Sequence, residues 1–340
     1  PFAPVLVPRH RRLGVGGRRA ADGSERRPLA ADDVTTGAAT LAADGVDAVA
    51  VAFLNSFVDD THEQAAADLI RAAHPDLWVT TSAALSPLMG EYERTSTAVV
   101  NATLGPHIVG YLRHLDERLH QLGLRRPLLM VQSNGGVASV EQLAERPVSL
   151  LLSGPAAAVG ALHHYRGGAD ADVISMEIGG TSCDVLLMSK GEVDTRDELS
   201  IAGYHVSTPA IDIHTIGAGG GTIAGVDDAG MLYVGPEGAG ADPGPACYGK
   251  GGTRPTVTDA QLVLGRLRPG PYAGGSLVLD LAAARAAIAA EVAEPLGLSV
   301  EEAAAGIIAL LEQNLLAAVE YISIERGHEP AATRVNREGS

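Results

Sequence analysis

Apolar and polar positions along this chain follow two periods. Val46, Val49, Val51 and Phe53 mark one short apolar run, and Leu77 to Thr81, Leu128 to Gln132, Asp172 to Met176 and Val185 to Met188 mark others. Runs of this length between turn residues predict buried strands. Stretches with helical spacing lie between them. Residues 28–45 predict a helix with Asp32 and Asp33 near its start. Asp60 to His74 predicts another, opening on an acid-rich turn that suits the helix dipole and stopping at Pro75. A long helical stretch covers Tyr92 to Leu122, where Gly105-Pro106 is expected to kink or split it. Ser139 to Arg146 predicts a short helix, and Ala156 to Ala161 one with almost no side-chain bulk. Residues 190–215 predict further strands, and 280–294 and 300–325 Ala-rich amphipathic helices. Helix alternating with strand predicts an α/β protein with a mixed or parallel sheet.

The most informative segment joins two of the apolar runs: Glu177-Ile178-Gly179-Gly180-Thr181-Ser182-Cys183-Asp184-Val185. It predicts strand, tight glycine turn, strand. Paired glycines let the backbone bend sharply and approach a ligand, and successive N–H groups in such a turn can point at a phosphate. Thr181 and Ser182 add hydroxyl donors. Glu177 and Asp184 add carboxylates suited to a hydrated Mg²⁺. A bare Gly-Gly is more often an ordinary hairpin turn; the hydroxyls and acids around it favour the phosphate reading.

Composition narrows the classes. The 340 residues can bury a large core and suggest one or two domains. A net charge of −16 argues against nucleic acid as partner. The Arg-rich start, Arg9 to Arg27, is the exception, and it predicts a solvated loop or irregular hairpin. Cys183 and Cys247 are too few for a disulfide framework or a four-cysteine zinc site, so a reduced, cytoplasmic setting is expected. No apolar run is expected to reach membrane-spanning length. The sequence begins with Pro1, so a piece of a longer protein is expected. There is no G-x-x-x-x-G-K-[ST], and Lys190 and Lys250 are the only lysines. Backbone amides and Mg²⁺, rather than a lysine clamp, would carry the charge of a phosphate.

Four further segments are candidates for chemistry. Asp212-Ile213-His214 puts an acid and an imidazole on one face of a strand, as a metal pair, an acid–base pair or a hydrogen-bonded structural histidine. Gly217-Ala218-Gly219-Gly220-Gly221 demands close backbone approach or positive φ, or forms a hinge. Gln132-Ser133-Asn134-Gly135-Gly136 is a polar turn at a strand end. Ser153-Gly154-Pro155 opens the Ala-rich helix, as an anion site or a plain cap. Residues 235–256, rich in Gly and Pro, predict a long functional or mobile loop.

These segments, with Gly90-Glu91-Tyr92-Glu93-Arg94-Thr95-Ser96-Thr97, Gly240 to Gly249 and Thr256-Val257-Thr258-Asp259-Ala260, in this order, resemble the hydantoinase A / 5-oxoprolinase family, to which acetone and acetophenone carboxylase subunits are related. The resemblance covers about residues 28–330. It implies an α/β fold of the actin-like ATPase kind, as in sugar kinases and Hsp70, with ribonuclease-H-like lobes that clasp ATP. It implies that residues 1–90 are the end of an N-terminal lobe, that 91–330 are the core domain, and that 331–340 are an unrelated tail without the expected strand. It implies ATP-driven phosphorylation of an amide or carbonyl oxygen of a small cyclic substrate, with ATP and a divalent cation such as Mg²⁺ and a B-type partner subunit. Gly179, Gly180, Thr181 and Ser182 would be a phosphate loop, Asp184 and Glu177 the catalytic carboxylates, and Gly219, Gly220 and Gly221 a loop near the nucleotide. Asp212 and His214 stay candidates for metal. Glu177 stands where the family usually has Asp, and Cys183 where it usually has Thr. The family's N-terminal Asp-x-Gly-Gly-Thr-x-Thr-Asp does not occur, so this chain by itself is expected to show little or no activity. A ketone carboxylase subunit and a non-catalytic scaffold are the alternative readings.

Overall fold

The computed structural model describes residues 5–165 and 172–328, with the backbone alone for 334–339. The chain forms two compact units, one of Pro1–Ala157 with Thr195–Ile211, the other of Ala158–Asp194 with Asp212–Ser340.

In the first unit the strands Ala48–Val51 and Trp78–Thr81 pair in parallel, with Val49 opposite Val79. The helices Ala31–Ala43 and Thr61–Ala73 cover them. Val34, Ala38, Ala66 and Ile70 turn inward at helical spacing and close a core on Val49 and Val51. The helix Glu91–Gln121 runs unbroken through Gly105-Pro106, correcting the expected split. Gly105 serves packing here: a Cβ on it would lie 2.6 Å from the Trp78 ring. This helix packs on the Ala48–Val51 strand, and the two compact units part at residue 157.

Arg94 of the Gly90–Thr97 segment is structural. Arg94, 1% exposed, donates to the carbonyls of Phe53 (2.9 Å) and Leu88 (3.1 Å) and to Ser82 Oγ (3.0 Å). Buried Glu63 accepts from Phe53 N, Ser82 Oγ and Ala83 N. The Arg-rich start folds as a two-stranded antiparallel ribbon, Arg18–Arg19 with Glu25–Arg27. Residues 195–211 add Leu199, Val206 and Ala210 to the core formed with Leu85, Ala98 and Val148.

The second unit is built on a sheet in the order Ile213–Ile216, Cys183–Ser189, Val173–Ile178, Arg334–Gly339. The first three are antiparallel, whereas Arg334–Gly339 runs parallel to Val173–Ile178, with Glu338 opposite Glu177. This strand corrects the expectation that none follows residue 330. Its residues, Arg-Val-Asn-Arg-Glu-Gly, hold one apolar position, so the strand is made by backbone pairing rather than by an apolar run.

Ile174, Met176, Cys183, Val185 and Leu187 face a core closed by the helix Val300–Ile324 through Ala303, Ala304, Ile307, Ile308 and Leu311. Ser299 and Glu302 form a capping box at the start of this helix. By length and composition the helix is apolar enough to cross a membrane, contrary to the expectation that no such run exists. That same apolar composition is what lets its inner face complete the core.

Candidate functional site

The turn Gly179–Ser182 joins the strands Val173–Ile178 and Cys183–Ser189. Gly179 N–H donates to Ser182 O (2.9 Å) and closes it. The N–H groups of Gly180, Thr181 and Ser182 have no acceptor among the described residues, and Gly180 and Thr181 are exposed. Three adjacent donors in a bend are what an anion needs.

Below the turn, Glu177 lies opposite Asp184 and Asp184 opposite Thr215. Residues in register share a face, so these three form a row across three strands, on the side away from the apolar core. Thr215 Oγ donates to Asp184 Oδ1 at 2.5 Å, and Asp184 Oδ2 accepts no bond from a described residue. Both carboxylates are half-buried, and an all-oxygen set suits a hard cation that keeps most of its water.

The second glycine loop makes the close backbone approach its three glycines predict, against the first glycine turn. Gly219 N–H donates to Thr222 Oγ (2.7 Å), Gly220 N–H to Gly179 O (2.9 Å) and Gly221 N–H to Gly180 O (2.6 Å). These amides are spent inside the protein, so Gly219, Gly220 and Gly221 are not phosphate donors. They are glycines because the loop stacks backbone to backbone on the Gly179–Ser182 turn: a Cβ on Gly219 would lie 2.7 Å from both Gly179 O and Thr181 N. Thr258 completes the stack by donating its N–H (2.7 Å) and its Oγ (2.8 Å) to Gly220 O.

Thr258 lies in the first turn of the helix Val257–Val263, whose cap is equally occupied. Buried Asp259 accepts from Thr256 N, Thr256 Oγ, Ala246 N and Cys247 N, at 2.8 to 3.2 Å. The Thr256–Ala260 segment therefore ties one end of the Gly- and Pro-rich loop to the glycine stack. Burial pushes the Cys183 thiol up to about 11, helped by Asp184 and Glu177. Burial pushes Cys247 up further, helped by Asp259. Both stay protonated thiols.

Asp212 and His214 each have a separate partner. Arg326 forms an ion pair with the buried Asp212 carboxylate, and the His214 ring stacks on Tyr321 with centroids 4.4 Å apart. A guanidinium already neutralises the acid, and the described residues include no group of three His, Cys, Asp or Glu placed to hold a metal. The expected Asp212–His214 metal pair is thus replaced by an ion pair and a ring stack. In the first unit the Gln132–Gly136 segment is a closed turn, with Gln132 N–H on Gly136 O and Gly136 N–H on Asn134 Oδ1. The helix opened by Ser153 is one turn long, Ser153–Ala156.

The sequence did not mark Thr215, Thr258 or Asp259 as site residues. For Thr215 the signal was available: period two along Ile213–Ile216 puts His214 on the core side, leaving position 215 to face Asp184.

Comparison with known proteins adds to this geometry. The hydantoinase/oxoprolinase family model matches residues 94–339, and the model of the hydantoinase/oxoprolinase N-terminal region matches residues 2–74. The chain is 44% identical over 332 residues to the caprolactamase subunit alpha of Pseudomonas jessenii, covering 97% of this chain and 48% of that one. It is 34% identical to the acetophenone carboxylase gamma subunit of Aromatoleum aromaticum, covering 96% and 45%. The crystal structure of the ATP-dependent caprolactamase from Pseudomonas jessenii superposes with a TM-score of 0.85 at 43% identity, over 100% of this chain and 49% of that one. The chain spans about half the length of these relatives.

Proposed function

Because this chain belongs to the hydantoinase/oxoprolinase family, we propose that it is the nucleotide-handling part of an ATP-dependent enzyme that opens a small cyclic amide of the 5-oxoproline or hydantoin type. The fold that goes with this reading is the actin-like ATPase fold, and the partner is a B-type subunit. One observation carries it: three adjacent amides without described acceptors, in a turn braced by a second glycine loop, above two carboxylates in register.

The chemistry follows from those groups. The amide oxygen attacks the γ-phosphorus of ATP, the bond to the bridging oxygen breaks, and ADP leaves with the electron pair. Water adds to the activated carbon, the ring C–N bond breaks, and nitrogen takes a proton; hydrolysis of the acyl phosphate then releases phosphate. Gly180, Thr181 and Ser182 donate their N–H groups to the transferring phosphoryl oxygens, in place from the start because the turn is braced. Glu177 and Asp184 are the residues that would hold Mg²⁺, through its water, and Mg²⁺ would neutralise the phosphate charge. The two carboxylates stand opposite each other in adjacent strands next to the turn, where they would orient that water.

The similarity to an acetophenone carboxylase subunit favours a second reading, in which the phosphorylated oxygen is that of a ketone and the following step is carboxylation. ADP release in the assembled enzyme tests both. Lactams, 5-oxoproline and hydantoins should stimulate it in the absence of bicarbonate. Stimulation by a ketone with bicarbonate alone would select the second reading, and no nucleotide turnover with either would overturn both.

A further inference from the structure

Thr215 takes no part in the phosphoryl transfer itself, yet its hydroxyl bonds one of the site's carboxylates. Its hydroxyl lies 2.5 Å from Asp184 Oδ1, and it stands directly opposite Asp184 in the register of the sheet. The residue is exposed, so it fills no core. Its strand neighbours have other tasks: His214 stacks on Tyr321, and Ile216 packs against the core. A hydroxyl that donates to a carboxylate can take only one of its oxygens. Oδ2 of Asp184 is left without a described donor, on a side chain held through Oδ1.

We propose that Thr215 is a positioning residue of this site, holding Asp184 by Oδ1 so that Oδ2 serves the hydrated cation of the bound nucleotide. The inference rests on the proposed nucleotide-handling function. The Thr215 O–H remains on Asp184 throughout; no proton moves. Without the hydroxyl, no described donor would hold the Asp184 carboxylate in its rotation. With it, both acids stay in one row beside the phosphate turn, as a hard cation with only a few protein ligands requires.

Titration of the assembled enzyme with Mn²⁺ and ATP, followed by electron paramagnetic resonance, tests this in the native protein and in T215V, T215S and D184N. Valine keeps the shape and strand preference of threonine while removing the hydroxyl, and serine keeps the hydroxyl. A hydrogen bond to a charged group has an effect of tenfold or more. T215V should therefore weaken Mn²⁺–ATP binding about tenfold with an unchanged melting temperature, and T215S should bind within about threefold of native. In a D184N background T215V should add nothing, because both substitutions then act on one lost interaction. Native-like binding by T215V, a T215S variant as weak as T215V, or a full T215V effect on top of D184N would each overturn the role of Thr215 alone. A native protein that binds no Mn²⁺–ATP would overturn the nucleotide reading, and this inference with it.

Discussion

Gly219 and Gly180 belong to the same stack, and a Cβ on Gly219 would lie 2.8 Å from the Gly180 carbonyl carbon. Their substitutions should nevertheless separate. In Gly219→Ala the methyl meets three backbone atoms of the Gly179–Thr181 segment, which cannot step aside as a side chain can. The expected cost is about 1–3 kcal/mol, read from the urea midpoint. At Gly180 a methyl group would stand in open space, with no heavy atom within 4 Å, and φ there is not positive. Gly180→Ala should therefore leave the midpoint nearly unchanged. It should weaken ATP binding at least about tenfold, or about 1.4 kcal/mol, because the methyl takes the room a phosphate oxygen needs. Native affinity in Gly180→Ala would remove the turn from the nucleotide site. The sequence marked both residues as glycines of the nucleotide site, Gly180 in the phosphate loop and Gly219 in a loop near it. One letter stands for two physical reasons, the near approach of a ligand and the near approach of another loop. Which of them applied at Gly219 depended on residues 179–181, some forty positions earlier.

At the scale of elements, the helix Val257–Val263 is a fastening rather than a surface. Asp259 holds two amides of the neighbouring loop as well as its own cap. Asp259→Ala should lower stability by about 2–4 kcal/mol, since a cap is lost and buried donors are left without acceptors. The same variant should gain a protease cleavage between Gly238 and Gly252; resistance equal to native would contradict this fastening. Long elements were readable because their period persists: Thr61–Ala73 and Val300–Ile324 lie within two residues of the expected spans. The Glu91–Gln121 helix survives Pro106 because its packing, Gly105 against Trp78 included, outweighs one missing backbone bond. The Arg334–Gly339 strand could not be read, because its partner supplies the order that its own sequence lacks.

The whole molecule carries an alkaline weakness. Folding holds the Cys183 thiol up to about 11, and Cys247 is raised further. An unfolded thiol ionises near pH 8.5. Above that pH the unfolded chain has lost protons that the folded chain keeps, so stability falls as pH rises. The contribution is fully present below about pH 8.5 and lost as pH climbs through about 11. Urea midpoints at about pH 7.5, 9 and 10 should decline with a steepening slope, and a Cys183→Ala, Cys247→Ala double variant should show a flatter one. Equal slopes would contradict the assignment. The α/β class was legible from alternation alone, whereas the division at residue 157 was not, because it depends on Leu199, Val206 and Ala210 returning to Leu85, Ala98 and Val148. That return has a consequence during synthesis. The first unit cannot close when Ala157 leaves the ribosome, and Ile211 is 54 residues later, which is about 3–11 seconds of translation. For that interval a nascent chain shows greasy surface with its cover still unmade, so chaperone capture should peak in ribosome-bound chains between those two lengths.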